Sequence, residues 1–145
     1  MSDWRRDIKW AEGPTLRALS VKPEWADGIR RNLKGIELRK KPTSHRGPLV
    51  ICASARPDRT ARPTYDVERR DCGLAVCVVN LVDCRRAEPD DTFAACVAPG
   101  TDLSAFHAWC LAIEVHLIVE PFPVKGQLAM FTVTLPRPAR GRRFF

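Results

Sequence analysis

No apolar run in this 145-residue chain approaches the roughly 20 residues that a membrane span requires, so no membrane partner is expected. The opening Met1-Ser-Asp-Trp-Arg-Arg-Asp7 carries charges with no apolar stretch behind it. A secretory signal is therefore not expected, and the chain reads as cytoplasmic. Six cysteines are present, but no Cys-x-x-Cys pair and no Cys/His cluster with zinc spacing accompanies them. Cys52, Cys77, Cys84 and Cys110 lie in or at the end of apolar strand-like runs, where a free thiol behaves as a small hydrophobe. Without an export signal, reduced thiols are the simpler reading, and neither disulfide, metal nor other cofactor is expected. Glycine-rich phosphate loops and internal repeats are also missing. His45 and His107 stand in turn-like stretches and give no triad signal.

What is present is the balance of a globular domain: 45% hydrophobic and 28% charged residues, enough apolar material to exclude a disordered chain. The length suits one domain. The net charge of +7 is unevenly spread. Residues 1–70 hold 17 basic and 9 acidic side chains, a net of +8. Residues 71–135 hold 3 basic and 8 acidic, a net of −5, and residues 136–145 hold four Arg and no acid. One basic half and a basic tail suggest an anionic partner, with nucleic acid the first candidate. A surface that is basic merely for solubility fits the charge equally well.

The periodicity predicts a mainly β domain. Leu16 to Val21 reads as a short strand, and Lys22-Pro23-Glu24 opens a helix with Pro in its first turn and Glu24 and Asp27 near its positive end. Trp25, Ala26, Ile29 and Leu33 fall on one face of that helix, and Asn32 is its expected stop. Strands are expected over Gly35–Lys41, Leu49–Ala53, Gly73–Cys84, an alternating run from Trp109, and Gln127–Leu135. Residues 55–71, with five Arg, read as a long mobile loop. A short helical turn is expected around Phe93-Ala94-Ala95. Several strands, one main helix and no strand–helix alternation point to a small mixed sheet or closed β-barrel, an α+β fold that is mainly β.

Three groups of residues carry a family likeness. The segments Ala18-Leu-Ser-Val-Lys-Pro-Glu-Trp-Ala26, Lys34-Gly-Ile-Glu-Leu-Arg39 and Arg46-Gly-Pro-Leu-Val-Ile-Cys-Ala-Ser54 resemble the ASCH family, named for homology to activating signal cointegrator. The likeness continues in Gly73–Cys84, Ala108-Trp-Cys-Leu111 and Glu120-Pro-Phe-Pro-Val-Lys-Gly126, so it spans roughly residues 16–135 in family order. It implies a PUA-like β-barrel with one inserted helix, flanked by an extension at 1–15 and a basic tail at 136–145. It also implies a cleft suited to RNA, single-stranded nucleic acid or a modified nucleoside. The family pattern Gly-x-Lys-x-x-Glu-x-Arg falls on Asn32, Lys34, Glu37 and Arg39, with Asn in place of Gly. Some relatives look like amidohydrolases acting on acetylcytidine through Lys, Thr and Glu; this chain has Glu37 where they have Thr, and another relative is a ribonuclease.

The residues themselves support a binding patch. Glu37 and Arg39 share a strand face, with Lys34 just ahead of them. A carboxylate accepts from a base amino group, Arg pairs bidentately with a base edge or phosphate, and Lys supplies a point charge. An ion-pair network on a solvated face is the plainer alternative. Lys22, Trp25 and Ser54 belong to the same cleft if the fold is right. Trp25 would then stack a base or anchor the helix, and Ser54 would bond a ligand or form a turn. Trp109 is expected in the core. Glu114 and His116 share the other face of that strand, where Glu114 could serve as an acid/base group and His116 is taken as structural. Arg56, Arg59, Arg62, Arg69 and Arg70 of the loop, and Arg137, Arg140, Arg142 and Arg143 of the tail, have the character of phosphate contacts. Binding of RNA or a modified nucleobase is the first expectation. An enzyme of the same fold, with Lys34 and Glu37 as its catalytic pair, is the alternative, and a protein-interaction adaptor is a third.

Overall fold

The structure, a computed structural model, describes residues 13–136, with residues 113–117, 119 and 120 described by their backbone alone. Six strands form one sheet: β1 (Thr15–Val21), β2 (Ile36–Arg39), β3 (Gly47–Ala53), β4 (Leu74–Arg86), β5 (His107–Pro123) and β6 (Phe131–Thr134). Helix α1 (Pro23–Arg30) joins β1 to β2, and the single turn α2 (Thr92–Ala95) lies between β4 and β5. The mainly β class expected from periodicity is what the chain adopts. No helix among the described residues is long and apolar enough to cross a membrane.

Both sheet faces are covered. Leu19, Leu49, Ile51, Cys77, Val79, Leu81 and Trp109 pack with Ala26 and Ile29 of α1. On the other face, Ala18, Val50, Cys52, Val78 and Ile118 meet Phe131, Val133 and Leu135. The alternation along β1 and β3 assigns neighbouring residues to opposite clusters, as pleated backbone requires. Helix α1 ends through its sequence: Asn32 adopts φ 59°, its N–H donates to the Ile29 carbonyl at 3.0 Å, and the Leu33 N–H donates to the Gly28 carbonyl at 2.8 Å. This is a Schellman cap with Asn in the left-handed position that glycine usually fills. The cap also carries Leu33 off the apolar face, and it is 46% exposed rather than packed as the helical spacing suggests.

The strand order β2-β5-β4-β3-β1-β6 is open, so a closed barrel is not formed among the described residues. The reason lies in β6. It pairs with Thr15–Ala18 only, and this leaves the outer edge of Leu19–Val21 without a strand partner. The other end of the sheet comes round to that gap: Arg39, at the end of β2, donates to the Ser20 carbonyl and to the Leu128 carbonyl, each at 3.4 Å. Residues 127–130, expected as the start of the last strand, instead run along the gap as a connection.

The loop at 55–71 is not the mobile segment that its composition suggests. Two carboxylates of α1, Glu24 and Asp27, 1% and 2% exposed, hold it down. The Asp58 N–H donates to Glu24 Oε1 at 2.8 Å, Arg70 Nε to Glu24 Oε2 at 2.6 Å, and the Glu68 N–H to Asp27 Oδ2 at 2.9 Å. The Tyr65 hydroxyl donates to the Glu24 carbonyl at 2.7 Å. Apolar periodicity does not register such polar latches, because the partners lie some 40 residues apart.

Candidate functional site

The Asn32 cap turns the chain inward at Lys34, which is 4% exposed. Its ammonium donates to the Ala95 carbonyl at 2.6 Å, lies 3.7 Å from Glu37 Oε1, and sits 4.5 Å from the centroid of the Trp25 ring. Burial lowers the Lys34 pKa, and the Glu37 carboxylate works against that shift. Cys96, left-handed at φ 59°, ends α2 and donates its Sγ–H to the Leu33 carbonyl at 3.2 Å, tying this turn to the Lys34 segment. Trp25 therefore has one ring face occupied by a cation, and it positions Lys34 as well as walling the site.

Glu37 is 7% exposed and is flanked by a second cation, with Arg39 Nη1 3.8 Å from its Oε2. Both ion-pair distances exceed hydrogen-bond length, so the carboxylate retains acceptor capacity. Lys34, Glu37 and Arg39 converge on a cleft of about 750 Å³, with Lys22, Trp25 and Ser54 in the same lining. The trio is thus recessed rather than spread on a flat face. The cleft occupies the gap between β1 and β2, and side chains from both ends of the open sheet meet there. Its walls are largely apolar, Val21, Leu38, Val97 and Phe106 among them. Convergent polar groups in a recess with apolar walls are the usual make-up of a ligand site.

The remaining expected residues divide. Lys22 is exposed and donates to the Arg56 carbonyl at 3.5 Å. The Ser54 hydroxyl donates to the same carbonyl at 3.3 Å, a turn-forming bond two residues ahead. Arg56, Arg59 and Arg62 are exposed on the latched loop, where Arg62 donates to the Arg59 and Ala61 carbonyls at 2.8 and 3.0 Å. Arg69 and Arg70 depart from the expectation of phosphate contacts: their guanidiniums pair with Asp71 at 2.9 Å and Glu24 at 2.6 Å. Trp109 is 5% exposed in the core, and its indole N–H donates to the Lys41 carbonyl at 3.0 Å. His107 opens β5 rather than a turn. The side chains of Glu114 and His116, and all of Arg137, Arg140, Arg142 and Arg143, lie outside the described residues, as does most of the 1–15 extension.

Sequence reading missed Ser20, Thr101, Lys125 and Gln127, which also line the cleft. The Ser20 Oγ is enclosed without a hydrogen-bond partner, and a Cβ on Gly126 would lie 2.3 Å from it. A hydroxyl between the apolar Leu19 and Val21 was the available signal. The residues at 101 and 125–127 carry none, because only the long-range fold brings them here. All six cysteines are free, and among the described residues no group of three or more His, Cys, Asp or Glu side chains is placed to hold a metal ion. A family model described as the ASCH domain matches residues 19–115. No curated protein matches the chain.

Proposed function

The chain belongs to the ASCH domain family, and on that premise we propose that it binds nucleic acid, RNA first, by taking a base or a modified base into the cleft of Lys34, Glu37 and Arg39. The observation that carries this reading is the Glu37 carboxylate, nearly buried between two cations that approach no closer than 3.7 Å. It can accept from an amino or ring N–H of a base, while Arg39 donates to an adjacent carbonyl or ring nitrogen. Lys22 and Lys125 in the cleft lining suit phosphates, and the exposed Arg56 and Arg59 of the latched loop would extend that charge, giving affinity without sequence preference. On the same reading the sheet is a PUA-like barrel whose seam is left open at the cleft.

Fluorescence anisotropy with short labelled RNA and single-stranded DNA, competed by modified nucleosides, tests this at low salt. Wild type binds, and Glu37→Ala weakens binding by about tenfold or more, the worth of one good base contact. No binding to any of these probes would sink the proposal.

Burial of Lys34 beside Glu37 favours a second reading, a nucleoside amidohydrolase or ribonuclease on the same cleft, because desolvated lysines are a means of activating acid–base chemistry. A carboxylate at 37 cannot take the acyl-transfer role of the threonine in amidohydrolase relatives without changing the chemistry. Turnover of acetylcytidine or RNA that Lys34→Ala abolishes would favour the enzyme over the binding domain.

A further inference from the structure

A second cleft of about 560 Å³ adjoins the first and shares Leu38, Arg39, Phe106 and Leu128 with it. On its far side it is walled by Leu19, Trp109 and Met130 and rimmed by Lys40 and Lys41. We propose that the two clefts are consecutive nucleotide subsites, so that the ligand is a single strand rather than a free base or nucleoside. This rests on the reading of the first cleft given above.

Four observations point the same way. Arg39 is the partition between the clefts: its guanidinium faces Glu37 at 3.8 Å on one side and lies 6.0 Å from the centroid of the Trp109 ring on the other. Lys40 and Lys41 are exposed, and no ion pair engages them among the described residues. They are nevertheless placed firmly, since the Trp109 indole N–H holds the Lys41 carbonyl at 3.0 Å. Finally, the two clefts together are lined by six cations and one carboxylate, Glu37, a balance that suits a polyanion.

The chemistry of a strand fits this layout. A phosphodiester passing Arg39 would meet its guanidinium, the next phosphate would meet Lys40 or Lys41, and the second base would rest on apolar walls beside Phe106. Base stacking on aromatic and guanidinium surfaces tolerates any sequence, so selectivity belongs to the first cleft and strand length to the second.

Calorimetric titration of 5′-phosphorylated mono-, di- and trinucleotides against wild type, Lys40→Ala/Lys41→Ala and Met130→Trp tests the proposal. The double variant alters exposed side chains only, and the tryptophan fills the second cleft without touching Glu37. Wild type should bind the dinucleotide about tenfold or more tighter than the mononucleotide, the worth of one stacked base. Both variants should lose most of that gain while binding the mononucleotide as wild type does. Equal affinity of wild type for mono- and dinucleotide overturns the second subsite and leaves the first cleft's reading standing. A nucleoside diphosphate that gains as much as the dinucleotide, or an oligo-aspartate that competes equally, also overturns it, because charge alone would then account for binding. Binding of no nucleotide of any length removes both readings.

Discussion

Lys34 shows how much of the site depends on single residues with unusual surroundings. A lysine 4% exposed survives because a carbonyl, a carboxylate and an aromatic face surround its ammonium. The backbone that delivers it depends on Asn32 at φ 59°. Asn32→Gly should leave thermal stability nearly unchanged, whereas Asn32→Val should cost about 1–2 kcal/mol, because a β-branched residue resists the left-handed region. Chemical denaturation of the two variants checks this. Cysteine reactivity is equally local. Burial pushes the Cys52 thiol up to about 12 and raises that of Cys77, while Cys72 is exposed. Brief alkylation at pH 8 followed by mass spectrometry should label Cys72 and spare Cys52 and Cys77 until the chain is unfolded.

At the scale of elements, the latch between α1 and residues 55–71 is the feature with the clearest energetic signature. For Glu24, burial raises the pKa, but the Asp58 N–H and Arg70 outweigh it and the net shift is downward. For Asp27, burial again opposes and is outweighed by the Glu68 N–H and by Arg30 and Arg31. A carboxylate with a depressed folded-state pKa binds fewer protons folded than unfolded. Its stabilisation is therefore complete above the unfolded value near 4 and is lost as pH falls through the folded value. Melting temperature should drop steeply below about pH 4, and Asp27→Asn should flatten that acid limb. Glu24→Ala leaves Arg70 and the Asp58 N–H without their carboxylate and should cost about 1–3 kcal/mol. Gly28→Ala should also loosen the latch, since a Cβ there would lie 2.2 Å from the Tyr65 hydroxyl. Faster tryptic cleavage after Arg59 is the readout for both variants.

These elements also mark what could be read from the sequence. β1, β3, β4 and α1 follow from apolar spacing and capping residues, because burial of one face leaves a period in the chain. The cleft trio was legible for a related reason: Lys34, Glu37 and Arg39 are close in sequence, so a strand register alone groups them. The latch, the open seam and Ser20 under Gly126 were not legible, since each depends on pairs of residues separated by 19 to 106 positions. Composition misled in one respect. A stretch with five arginines looks mobile, yet Arg70 helps to pin it by closing on buried Glu24.

For the whole molecule, the uneven charge acquires a place. Cations of the first half line the clefts and the latched loop, while most acids of residues 71–135, Asp71, Glu88, Asp90, Asp91 and Asp102, lie in the connections between strands. Association with a single strand should therefore weaken with salt, and a strand touching four rim cations would show a log–log slope of roughly −3. Lys22→Ala/Lys125→Ala should make that slope shallower by about 1 without changing which base is preferred. The central claim, that the seam between β1 and β2 is where a base enters, is tested most directly by mapping backbone amide shifts during titration with a short single-stranded RNA. The account predicts that the largest shifts cluster at Ser20–Trp25, Lys34–Arg39, Ser54 and residues 125–128, and that Glu37→Ala moves their titration midpoint to about tenfold higher RNA concentration. Shifts confined to residues 55–71, or unchanged by Glu37→Ala, would contradict it.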